Sequence, residues 1–177
     1  MLYSRETLVA AIREQGITYL APSDAQPTEA ISSEADLILA ILEHPDPRLH
    51  LALVSLFIRH PDWAGHVPAL VKRLSSSHFL NLQTLYMAAV YLQRLWLIHL
   101  SLYLDNLSLL PDLYSHQLGL PPADERFGKA GLYALAEAWS ARSPYPFNWL
   151  ASLNKTMELF LTQLSMERPL HESTPAG

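Results

Sequence analysis

The 177-residue chain is predicted to fold as a single all-α domain of six to eight helices. Three observations predict this. Apolar residues recur at helical spacing along most of the chain. Ser, Asp and Pro stand where helices should start, and Gly or His-Pro where they should stop. Apart from the brief "GITYL" at 16–20, no segment alternates in the manner of a strand. Half of the residues are hydrophobic and 16% are charged, enough apolar material for a core and too much for a disordered chain. The domain is expected to cover 1–168, with a flexible polar tail at 169–177.

The elements follow in order. Ser4 is the N-cap expected for a first helix whose apolar face is Leu8, Val9 and Ile12, and Gly16 lies where a helix end favours glycine. Residues 17–31 carry two prolines and no period, so they read as an irregular connection pinned at its start by Ile17, Tyr19 and Leu20. Ser32 and Ser33 can cap a second helix, "EADLILAILEH", which is apolar nearly all round and must be covered on several sides. His44-Pro45 stops it. Asp46 then caps a third helix with Pro47 at its first position, running to about Arg59. His60-Pro61 stops that one, and Asp62 is expected to cap a fourth, interrupted or delayed by Pro68.

The fifth helix is predicted to be long and central, from about 78 to 104. At 100° per residue, Gln83, Arg94, Ser101 and Asp105 form a narrow polar stripe, within about 20° of Arg94. A short helix is expected from Pro111 to Gly119, then a loop. A helix over 129–142 shows Leu132, Leu135, Ala136 and Trp139 on one face, with Ala130, Ala134 and Ala138 as a small-residue ridge that would admit a neighbouring helix. After the stiff "SPYPF" comes a last helix from about Asn148 to Glu167. It is amphipathic, with Leu150, Leu153, Met157, Phe160, Leu161 and Leu164 on its apolar face.

Composition narrows the function. The net charge is −5, which disfavours non-specific nucleic-acid binding, and the twelve Lys and Arg are scattered along the sequence. The absence of cysteine excludes disulfides, thiolate ligands and a Cys nucleophile, and suits a reducing cytoplasm. The opening "MLYSRETLVAAIREQG" does not read as a signal peptide. The apolar run 82–104 is long enough for a bilayer, but Arg94 near its centre argues for burial in protein, so no membrane association is expected.

Chemistry is sparse. The densest cluster of side chains able to bind metal is His44, Asp46, His50, His60, Asp62 and His66, six potential ligands within 23 residues, including two copies of His-Pro-Asp. Zinc accepts such ligands, so a metal-dependent hydrolase using His44, Asp46, His60 and Asp62 is one alternative. The spacings match no helical metal scheme. Capping explains Asp46 and Asp62 without any metal. No nucleophile elbow or phosphate loop is present, and no cofactor is implied. His50 and His99 fall on apolar arcs. The simplest reading of each is a neutral core histidine bonded to a carbonyl. A helical small-ligand pocket beside one of them is a second alternative. His44, His60, Trp63, Tyr145 and Phe147 lie at helix edges and are the interface candidates, the aromatics as anchors beside prolines.

The stretch "EHPDPRLHLALVSLFIRHP" resembles a HEAT-type repeat: Asp46-Pro47 at the turn between two helices, then Arg48 and Ala52 early in the second. The likeness covers about 34–61. It implies a helical hairpin of a protein-binding architecture and identifies no functional residue. Taken together, the chain is expected to be a non-enzymatic, cytoplasmic interaction or adaptor protein that binds a protein partner or itself.

Overall fold

In a computed structural model of the chain, residues 2–22, 29–145 and 147–172 are described. Every regular element among them is helical. Helix α1 (Arg5–Glu14) starts at Ser4, whose hydroxyl accepts the Thr7 N–H at 3.2 Å. It ends at Gly16, where φ is +90°, a conformation that glycine adopts without strain. Helix α2 (Glu34–Glu43) is capped by Ser33, and α3 (Pro47–Arg59) by Asp46, which accepts the Arg48 N–H at 2.9 Å. All three starts and stops lie where the local sequence sets them.

Asp62 does not act as a cap. Residues Pro61–Gly65 form a 3₁₀ turn with no side-chain cap, flanked by His60. The two His-Pro-Asp copies differ in what comes next. Pro47 follows Asp46 and starts its helix there, leaving Asp46 in the capping place. Trp63 follows Asp62, so Pro61 is the starting proline and Asp62 is already inside the turn. A short α4 (His66–Ala69) continues it, with Pro68 in a first turn that needs no proline N–H.

The long helix predicted for 78–104 is two. Helix α5 (Ser76–Leu95) is capped by Ser75, and α6 (Leu97–Ser101) follows a break at Trp96. No Pro or Gly marks that break. The helix expected over 111–119 is instead a set of turns built on Asp112, which accepts N–H bonds from Ser115 and Ala123, both at 3.0 Å. Before α7 (Lys129–Arg142) the backbone is left-handed at three successive residues, Arg126, Phe127 and Gly128. Asn148 accepts the Ala151 N–H and opens α8 (Trp149–Glu172). Residues 169–172, assigned from sequence to a tail, continue α8, and 173–177 lie outside the described residues.

Helices α3 and α5 lie against each other at the centre. Helices α1 and α2 cover α3, α7 packs on α5, and α8 spans α3 and α7. This arrangement explains the all-round apolar character of α2 and α3: every residue from Leu37 to Leu42 and from Ala52 to Ile58 is buried within the chain. The alanine ridge of α7 is only half-buried. The close approach to α5 is made by Gly131, where any Cβ would overlap the buried Tyr91 ring.

The polar residues inside the apolar run have a structural use. Gln93 is fully buried; its amide donates to the Ser108 carbonyl at 2.8 Å and its oxygen accepts the Leu110 N–H at 2.7 Å. Arg94 donates to the Leu110 carbonyl at 2.6 Å, Tyr86 to that of Pro111 and Tyr91 to that of Pro121. These bonds satisfy the backbone of the irregular stretch 102–124 where helix or sheet cannot. No helix among the described residues is long and apolar enough to cross a membrane.

Candidate functional site

The histidines of the repeated tripeptide sit at the two ends of α3. A 13-residue helix is about 20 Å long. His44 and His60 therefore neither share an edge nor close on one ion. Each is used locally. His44 Nδ1 accepts the Asp46 N–H at 3.1 Å. His60 donates through Nε2 to the Gln15 carbonyl at 2.6 Å and stacks on Trp63 at a centroid distance of 5.0 Å. Trp63, expected near the surface, is 2% exposed, because that stack and the 3₁₀ turn fold its ring inward. Asp46 bonds the Arg5 guanidinium at 2.9 Å, and Asp62 is exposed. Among the described residues, no three His, Asp or Glu side chains are grouped as a metal site requires.

His50 is a half-buried structural histidine. Its Nε2 donates to the His44 carbonyl at 2.6 Å, and Asn81 donates to its Nδ1 at 3.4 Å. Burial holds its pKa below the usual histidine value, although the His44 carbonyl pulls the other way. His99, expected in the apolar arc of one long helix, is exposed; the break at Trp96 turns the following residues outward.

The two remaining interface candidates come together with two tryptophans. Trp139 of α7 and Trp149 of α8 stack in parallel, with centroids 3.8 Å apart and planes 5° apart. Phe147 leans on Trp149 at 4.6 Å and is 48% exposed, and Tyr145 is 76% exposed. The turn between α7 and α8 thus carries four aromatic rings within eleven residues, two inward and two outward. Beside the stack is an open cleft of about 270 Å³, whose lining includes Leu80, Thr84, Arg142 and Trp149. Arg142 donates to the Thr84 hydroxyl at 3.2 Å. The Trp149 indole N–H is buried and has no acceptor among the described residues, an unusual state for a buried donor. In the sequence, proximity to prolines marks Tyr145 and Phe147. Trp139 has the spacing of a core position in its helix, and nothing in the sequence pairs it with Trp149.

The fold and this surface define a compact all-helical domain with an aromatic corner. No protein-family model matches the chain, and neither curated proteins nor solved structures give a match.

Proposed function

We propose that the protein is a non-enzymatic interaction or adaptor module that presents the α7–α8 corner to a protein partner or to a second copy of itself. The observation that carries this reading is the exposure of Tyr145 and Phe147 against the rigid Trp139–Trp149 stack. Aromatic side chains held by packing lose little entropy on binding and are the commonest interface anchors. The likeness of 34–61 to a HEAT-type hairpin agrees with a protein-binding role, and the cysteine-free composition suits a cytoplasmic setting. The metal-hydrolase alternative loses its support with His44 and His60 at opposite ends of α3.

The test is affinity purification from the native host, with the oligomeric state of the purified chain measured by light scattering. Wild type is expected to retain a specific partner or to dimerise. The double substitution Tyr145→Ser, Phe147→Ser should abolish this while leaving the chain folded, with only a small fall in Tm from the lost Phe147–Trp149 contact. A chain that stays monomeric and captures nothing that the double variant does not also capture would refute the reading.

A further inference from the structure

A second surface, across the molecule's α3–α8 seam, has a different chemistry. The start of α1, the connection 17–22, the first turns of α3 and the first half of α8 surround an open cleft of about 520 Å³. This lies within the ~300–1,000 Å³ typical of small-ligand sites. Arg5, Arg48 and Lys155 all line it, and no Asp or Glu does so among the described residues. In a chain of net charge −5 this is a local reversal of sign. Leu20, Leu51 and Leu159 supply apolar walls.

The three cations are not equally engaged. Arg5 is held through Nε by Asp46 at 2.9 Å. Among the described residues Lys155 meets only Glu158, at 3.8 Å, with both side chains more than 60% exposed, a pair that contributes little. Arg48 has no carboxylate partner among the described residues. Its own N–H is already bonded to Asp46, so the N-terminus of α3 is closed and attraction for an anion rests on side chains. Tyr19 also lines the cleft; its hydroxyl bonds the buried Ser55 at 2.8 Å, and burial pushes its pKa up to about 12 despite that bond. Tyr19 therefore adds no negative charge at neutral pH.

We propose that this cleft binds a small amphipathic anion: a carboxylate or phosphate head between Arg48 and Lys155, with a short acyl or aryl body lying on Leu20 and Leu51. Arg48 and Lys155 are exposed, whereas Leu20 is 7% exposed and Leu51 is partly buried, which orients the head outward. A bare ion would leave the leucine walls in water, and a neutral apolar molecule would gain nothing from Arg48 and Lys155, so a ligand with both parts fits best.

The experiment is calorimetric and NMR titration of the full chain with sodium octanoate and with octyl phosphate, below their micellar concentrations. The controls are 1-octanol, acetate and inorganic phosphate. At least one octyl anion should saturate a single site and shift the backbone amides of Leu20, Leu51 and Lys155. The stronger of the two identifies the head group. The controls should bind at least about tenfold more weakly, as should the double variant Arg48→Gln, Lys155→Gln. Both substitutions are at exposed positions, and an unchanged melting curve would confirm that the variant is folded. Raising salt should weaken the octyl anions but not octanol. Equal binding of octanol, equal binding of acetate or inorganic phosphate, unaltered binding by the double variant, or no saturable binding at all would each overturn the proposal.

Discussion

Substituting Asp46 tests how much of the fold rests on one turn. Its carboxylate makes two bonds, to the Arg48 N–H and to Arg5 Nε, each at 2.9 Å. Losing an N-cap costs about 1 kcal/mol. The Arg5 pair joins side chains 30% and 20% exposed, and solvent screening limits it to about 0.5–1 kcal/mol. Asp46→Ala should therefore destabilise by about 1.5–2 kcal/mol. For a chain of this size that lowers Tm by roughly 3–8 °C. Asp46→Asn keeps a competent cap and loses only the pair, so it should cost about half as much. Burial opposes ionisation of Asp46, but the Arg48 N–H and the Arg5 guanidinium outweigh it and hold the carboxyl below its usual value. A depressed folded-state pKa contributes stability that is complete above the unfolded value, about 3.9, and lost as pH falls through the folded one. The gap between wild type and Asp46→Ala in urea unfolding should accordingly be full at pH 7 and narrow below about pH 4. An Asp46→Ala protein within ~0.5 kcal/mol of wild type at pH 7 would refute the capping argument. So would an Asp46→Asn variant as unstable as Asp46→Ala, which would move the effect to the ion pair.

Other outcomes follow from the same geometry. Asp46→Asn also releases Arg5, so octyl-anion affinity measured by calorimetry should rise rather than fall. Gly131→Ala gains about 1 kcal/mol of helix propensity but drives a methyl into the Tyr91 ring, whose hydroxyl is tied to Pro121. Overpacking of about 1–3 kcal/mol should win, and a raised urea midpoint would show that the ring can yield. Gln93→Leu strands the Leu110 N–H and the Ser108 carbonyl and should cost about 2–4 kcal/mol in urea unfolding, with exchange of the 108–110 amides accelerated. Unchanged exchange there would mean that the stretch is held by other contacts.

The sequence announces what is local. Ser4, Ser33 and Asp46 act on N–H groups two or three residues away, and Gly16 needs only its own backbone freedom, so each is readable without the fold. Asp62 shows the limit of that reading: the same tripeptide behaves differently because the next residue is Trp63 instead of Pro. The break at Trp96 carries no mark, since its neighbours keep helical spacing on both sides. Arg94 of the polar stripe is visible in the sequence, but its acceptor, the Leu110 carbonyl, lies in an irregular stretch whose path no period predicts. The exposed Tyr145 and Phe147 could be picked out because prolines flank them, whereas Trp63 is inward because of a stack formed only in the folded chain. The cationic cleft is the clearest case. Arg5, Arg48 and Lys155 are far apart in sequence, and charges scattered along the chain are gathered by the packing of α1, α3 and α8.

Gln163 of α8 links distant parts of the chain. Its side-chain oxygen accepts the Thr18 N–H at 2.8 Å, and its amide donates to the Gly16 carbonyl at 2.7 Å and to Glu167 at 2.7 Å. The connection after α1 is thus clasped by a residue 145 positions later. During synthesis α1 can form early, but its exit has no partner for these two backbone groups until α8 has been made. A nascent chain ending anywhere before α8 also lacks one whole wall of the cationic cleft and the Trp149 half of the aromatic stack. The two surfaces proposed for binding therefore come into existence in the same late step, and a partially made chain presents neither in finished form.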